Sequence, residues 1–142
     1  DSDMPPTSAH AIEDRWRRNI GSHVIEAIHT PGHTSCHTSF LLDELGILIA
    51  GDLFPAATTP GRTDFPTGNI VQMRDSIQHV RDLDIDTLIP SRGETIRGDT
   101  IEDVLTKHLD FFDSMIEAKG ELPEEWPIPV PTCMWWTPKP EW

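Results

Sequence analysis

The chain has 142 residues, and its 24 acidic against 11 basic side chains leave a net charge of −13, which repels phosphate backbones and argues against a nucleic-acid partner. Hydrophobic and charged contents of 37% and 25% fit a folded chain of about one domain. Its longest apolar runs, such as 47–50, are too short to cross a bilayer, and two cysteines far apart, Cys36 and Cys133, make neither a disulfide framework nor a CxxC metal site.

In chain order, the first residue is Asp1 and Met4-Pro5-Pro6 follows, so the chain reads as a piece of something longer. No signal peptide opens it, which points to the cytoplasm. The basic cluster Arg15-Trp16-Arg17-Arg18 reads as a solvated turn or as a set of salt-bridge partners, and Gly21-Ser22 as a turn. A β-branched strand is predicted over 23–30, stopped by Pro31-Gly32. A second covers 39–42, with a turn over 43–46. A third, 47–50, reads as buried on both faces because its apolarity is unbroken. The prolines and glycines of 53–69 predict a long irregular loop. Asn69 is placed to cap a helix whose buried face is Ile70, Met73, Ile77 and Val80. A short strand over 86–90 and a loop over 91–98 follow. Thr100 to Asp103 resembles a capping box, ahead of a helical stripe that runs from Ile101 through His108 and Phe112 to Ile116 and stops at Gly120. His108 reads as a core-edge residue and Cys36 as a small buried hydrophobe. Prolines and tryptophans fill 121–142, which predicts an extended docking arm rather than helix or sheet.

Chemistry concentrates at strand ends. His29 and His33 close the first strand, and Asp52 closes the third. Pro31-Gly32 swings His33 off the sheet, so paired strands bring His33 and Asp52 to one edge. Imidazole and carboxylate together suit a borderline divalent metal. Taken alone, the pattern also admits a surface or supporting histidine.

His29-Thr30-Pro31-Gly32-His33-Thr34, followed at an interval by Ile49-Ala50-Gly51-Asp52, resembles the metallo-beta-lactamase superfamily, in particular its glyoxalase II-like branch. Leu88-Ile89-Pro90-Ser91-Arg92-Gly93 stands where that family has a late "PGHG" loop, and Gly61 to Phe65 is also similar. The resemblance covers about residues 20–118. It implies an α/β chain, the C-terminal half of an αβ/βα sandwich over 1–120, with the Pro/Trp-rich arm over 121–142. It implies His33 and Asp52 as metal ligands, with Asp52 bridging if two metals are present.

Two features depart from the family. Its "HxHxDH" motif has no counterpart in residues 1–22, where His10 stands alone, and Arg92 replaces the late histidine. Arginine stays protonated and offers no lone pair to a metal. Glu94 is an alternative donor or a solvated loop acid. His37 is a supporting group near the site or a strand-edge histidine, and His29 stands with it as an uncertain member. Arg92 is either an anion hook at the pocket mouth or a salt-bridge partner.

The implied function is metal-dependent hydrolysis of a carbonyl-type, ester or amide bond in a small molecule. Zinc, as one or two ions, activates the water and Asp52 serves as the catalytic carboxylate. A mononuclear iron oxygenase of the same superfamily and a non-catalytic half-domain are the alternatives. Because one sheet with helices on one face leaves its other face bare, the chain is expected to bind a complementary N-terminal half or a second copy of itself.

Overall fold

Short runs of β-branched and apolar residues build a single six-stranded sheet in which spatial order follows chain order. The computed structural model describes residues 11–117. The strands are β1 (Arg17–Ile20), β2 (His23–His29), β3 (Thr38–Leu42), β4 (Ile47–Gly51), β5 (Thr87–Pro90) and β6 (Ile96–Arg97), with helices α1 (Ile70–Arg81) and α2 (Thr100–Glu117). β1 to β4 form an antiparallel meander. β4 and β5 pair in parallel, so the chain must cross over between them, and α1 is that crossover. Asn69 caps α1 as expected, accepting the Gln72 N–H at 2.9 Å.

Register fixes which residues face the core. Leu41, Leu48 and Leu88 lie in one row, Ile28 and Ala50 flank it, and all are buried under Met73, Ile77, Leu105 and Phe112 of the helices. The opposite face carries the intervening residues, because side chains alternate along a strand. Ile25, Phe40, Leu42, Ile47 and Ile89 are half-buried there, and Ile49 is 38% exposed. The expectation that β4 is buried on both faces is therefore wrong. Among the described residues, both helices lie on one side of the sheet.

Other expectations change in detail. Arg17 and Arg18 belong to β1 rather than a turn, and it is the salt-bridge reading of the cluster that holds. Arg15 and Arg17 reach the buried Glu26 at 2.7 and 3.3 Å. The turn at Asp43–Leu45 is a short 3-10 helix, and the loop after β5 contains β6. α2 begins on Thr100 itself, so Thr100 is not its cap. His108 is fully buried rather than at the core edge, because α2 also buries Phe111 beside it. Cys36 is exposed, since the turn after Gly32 runs along the surface. Gly120 and the 121–142 arm lie outside the described residues.

Candidate metal centre

His33 and Asp52 meet although their strands are not neighbours; β3 lies between them. The turn after β2 brings them together. Gly32 has φ +142, and a Cβ there would stand 2.4 Å from the Met73 Cα. The turn is thus pressed onto the first two turns of α1, where the Asn69 N–H donates to the Gly32 carbonyl at 2.8 Å and Ser76 Oγ donates to the Pro31 carbonyl at 2.7 Å. His33 is delivered from there against the 53–69 loop.

The His33 ring is held in one protonation pattern. Its Nδ1 lies 2.9 Å from the Arg62 carbonyl, which can only accept, so Nδ1 carries a proton. Phe65 packs edge-on at 4.8 Å, and the Arg62 guanidinium sits over the Phe65 ring at 4.6 Å. Asp64 binds Arg62 through two short hydrogen bonds of 2.6 and 2.5 Å, and this contact holds the Asp64 carboxyl below its ordinary pKa. Loop residues 62–65 thus form a brace for one imidazole. His33 Nε2 is left facing Asp52 Oδ2 at 3.5 Å.

Asp52 is fixed by two contacts. Its N–H donates to His37 Nε2 at 3.1 Å, and its Oδ1 accepts from Ser91 Oγ at 2.9 Å. The second contact follows from the parallel register, which sets Gly51 beside Pro90 and hence Asp52 near Ser91. Burial lowers the His37 pKa below the ordinary histidine value, against a smaller opposing effect of its hydrogen bond to the Thr30 backbone.

The imidazole and carboxylate donors fit a divalent metal. With Nδ1 protonated, a neutral His33 presents a lone pair at Nε2, and the carboxylate presents another. Two acceptors facing each other require a positive charge between them, whether a proton or a metal. Tetrahedral zinc with bonds near 2.0–2.1 Å sets adjacent ligand atoms about 3.3 Å apart, close to the 3.5 Å found here. Among the described residues no group of three or more His, Cys, Asp or Glu side chains is arranged to hold a metal.

His37 has both ring nitrogens engaged, Nε2 by Asp52 and Nδ1 by Thr30. His29 is exposed, donates Nε2–H to the Ser35 carbonyl at 2.9 Å, and lines a cavity of about 290 Å³ with Asp14 and Cys36. Glu94 lines a separate groove of about 510 Å³ with Ala56, Ile96 and Thr100. The Arg92 side chain is exposed and, among the described residues, pairs with no carboxylate; its N–H donates to the Pro55 carbonyl at 2.9 Å. Ser91 and the Arg62 carbonyl were not foreseen as parts of the site. A serine following a strand parallel to the Asp52 strand was the available signal for Ser91; a backbone carbonyl leaves none.

The profile of the metallo-beta-lactamase superfamily matches residues 4–92. A probable metallo-hydrolase of Methanocaldococcus jannaschii is 39% identical over 79 residues, which cover 53% of this chain and 37% of that protein. An uncharacterized protein of Aquifex aeolicus is 37% identical over 71 residues, covering 49% of this chain and 33% of its own length. The chain thus spans about a third of the curated relatives it matches. Among solved structures, a metallo-beta-lactamase family protein of Thermus thermophilus superposes with a TM-score of 0.70 at 19% identity, covering 80% of this chain and 38% of that one. ETHE1 of Myxococcus xanthus gives 0.56 at 22% identity, with 80% and 53% coverage. The mixed sheet with two helices on one face is the part of the fold these structures share with it. With the profile matched over more than half of its length, the chain belongs to the metallo-beta-lactamase superfamily.

Proposed function

We propose that this chain contributes to the active site of a metal-dependent hydrolase acting on a carbonyl-type, ester or amide bond of a small molecule, with His33 and Asp52 as metal ligands. The observation that carries the reading is the juxtaposition of His33 Nε2 and Asp52 Oδ2, 3.5 Å apart. When bound, a divalent metal lowers the pKa of its water to near neutrality and polarises a carbonyl oxygen. Asp52, half exposed at its side chain, is the carboxylate available to orient the attacking water or take its proton. Arg92, held at its backbone and without a carboxylate partner among the described residues, hooks an anionic or carbonyl group of the substrate. The remaining ligands come from a complementary half of the sandwich.

Zinc fits this imidazole–carboxylate pair, and so does iron, whose sites combine two histidines and one carboxylate. A structural neighbour with a TM-score of 0.55 is described in a di-iron-bound form, which supports iron as the metal; the alternative chemistry with a single iron is oxygenation. Metal analysis of the purified protein separates the two.

The test is a Zn²⁺ titration of the chain followed by histidine side-chain NMR. Zn²⁺ is expected to move the His33 signals, and Asp52→Asn is expected to weaken that response about tenfold or more. A His33 response indifferent to Asp52→Asn, or no response at all, removes the proposal.

A further inference from the structure

We infer that His37 and Ser91 are positioning residues for Asp52, His37 setting its backbone and Ser91 its outer carboxylate oxygen, so that Oδ2 alone is presented beside His33. The inference rests on the reading of Asp52 as a ligand and adds the residues that aim it.

Hydrogen-bond polarity carries the argument. A backbone N–H can only donate, so the 3.1 Å contact from Asp52 requires a bare lone pair on His37 Nε2. The proton of the neutral ring then sits on Nδ1, where it meets the Thr30 carbonyl at 3.1 Å and the Thr30 hydroxyl at 3.0 Å. The Thr30 hydroxyl continues to Ser39 Oγ at 2.8 Å, and Ser39 Oγ donates to the Ala50 carbonyl at 3.3 Å. Thr30 and Ser39 are fully buried. A polar chain therefore runs from the β2 end that leads to His33, across β3, to the β4 end that leads to Asp52. It spans the gap that strand pairing leaves, because β2 and β4 do not touch.

Gly51 supplies an independent sign that the chain is built to close. Its φ is +56, and a Cβ there would stand 3.0 Å from His37 Nε2. The backbone turns toward the ring at the one residue that allows the approach. On the other side, Ser91 Oγ occupies Asp52 Oδ1 at 2.9 Å. One carboxylate oxygen is thereby engaged by protein and the other left for His33 and whatever lies between them.

The test uses the metal-free 142-residue chain. Long-range proton–nitrogen NMR at neutral pH is expected to place the His37 proton on Nδ1; a proton on Nε2 instead overturns the inference without any variant. His37→Leu is expected to speed exchange of the Asp52 amide about tenfold, the loss of one ordinary hydrogen bond, while other β4 amides are unchanged. His37→Gln, whose side-chain oxygen reaches the place of Nε2, is expected to restore protection and Zn²⁺ affinity together. Ser91→Ala is expected to weaken Zn²⁺ binding while leaving the Asp52 amide protected, since Ser91 holds the carboxylate only. Unaltered Asp52 exchange in His37→Leu, or no rescue by glutamine, overturns the role of His37. A silent Zn²⁺ titration in the wild-type chain with these amide results intact sinks the metal reading and not the clamp.

Discussion

At the scale of single residues, Gly32 decides where His33 goes. With φ +142 and the Met73 backbone 2.4 Å from an ideal Cβ, any side chain must push the turn away from α1. Gly32→Ala is expected to destabilise the fold by more than about 2 kcal/mol, because the obstacle is helix backbone and not a flexible side chain. Urea unfolding at constant slope measures this, and a midpoint within error of wild type contradicts it. The role of Pro31-Gly32 as a strand break was legible from sequence, since both residues interrupt a β-branched run. What Gly32 touches was not, because Met73 lies across the fold. The same division holds within the site. His33 and Asp52 stand out as side chains with donor atoms at strand ends, whereas the bond from His33 to the Arg62 carbonyl spans 29 positions and uses a backbone atom.

At the scale of elements, α1 and α2 were readable because their apolar stripes recur over three or more turns, and both occur close to where the pattern sets them. β1 and β6 were not. Four residues of RRNI and two of IR carry no alternation long enough to see, and pairing with β2 and β5 is what makes them strands. His108 shows how an element binds a loop. It is fully buried on α2, and its Nε2–H donates to the Ala57 carbonyl at 2.8 Å, tying the 53–69 loop to the helix. Burial pushes its pKa down to about 4 from an ordinary 6.5, and neighbouring Lys107 adds to the shift. Between those values the unfolded chain binds the proton and the folded chain does not. Stability from this residue is therefore complete above pH 6.5, is lost as pH falls, and levels off below about 4. The loss is on the order of 3 kcal/mol. His108→Leu is expected to flatten that part of the stability-versus-pH curve, measured by urea unfolding from pH 7 downward. An identical acid slope in the variant assigns the effect to other groups.

At the scale of the whole molecule, the sheet is apolar on both faces while the described helices cover one. The open face presents two aligned rows, Phe40, Ile49 and Ile89 beside the buried Ala27 in one and Ile25, Leu42 and Ile47 in the other. A layer of this kind is stable when a second layer buries it, and these rows are half-buried, with Ile49 exposed. We propose that the face packs against a complementary half of the sandwich, and that in the isolated chain a second copy takes its place. The same partner layer would bring the donors that the His33–Asp52 pair lacks, so burial of the face and completion of the site are one event. The isolated chain is then expected to sediment as a dimer or larger species. Phe40 and Ile49 are paired across β3 and β4 on the open face, away from the helix-side core. Replacing both, as Phe40→Glu with Ile49→Lys, puts opposite charges directly across the ladder, which sheets tolerate, while making the face too polar to bury. The double variant is expected to sediment as a monomer with an unchanged circular dichroism spectrum. A wild-type chain that is monomeric at every concentration tested shows that the face is stable in water without a partner, and the packing proposal then fails.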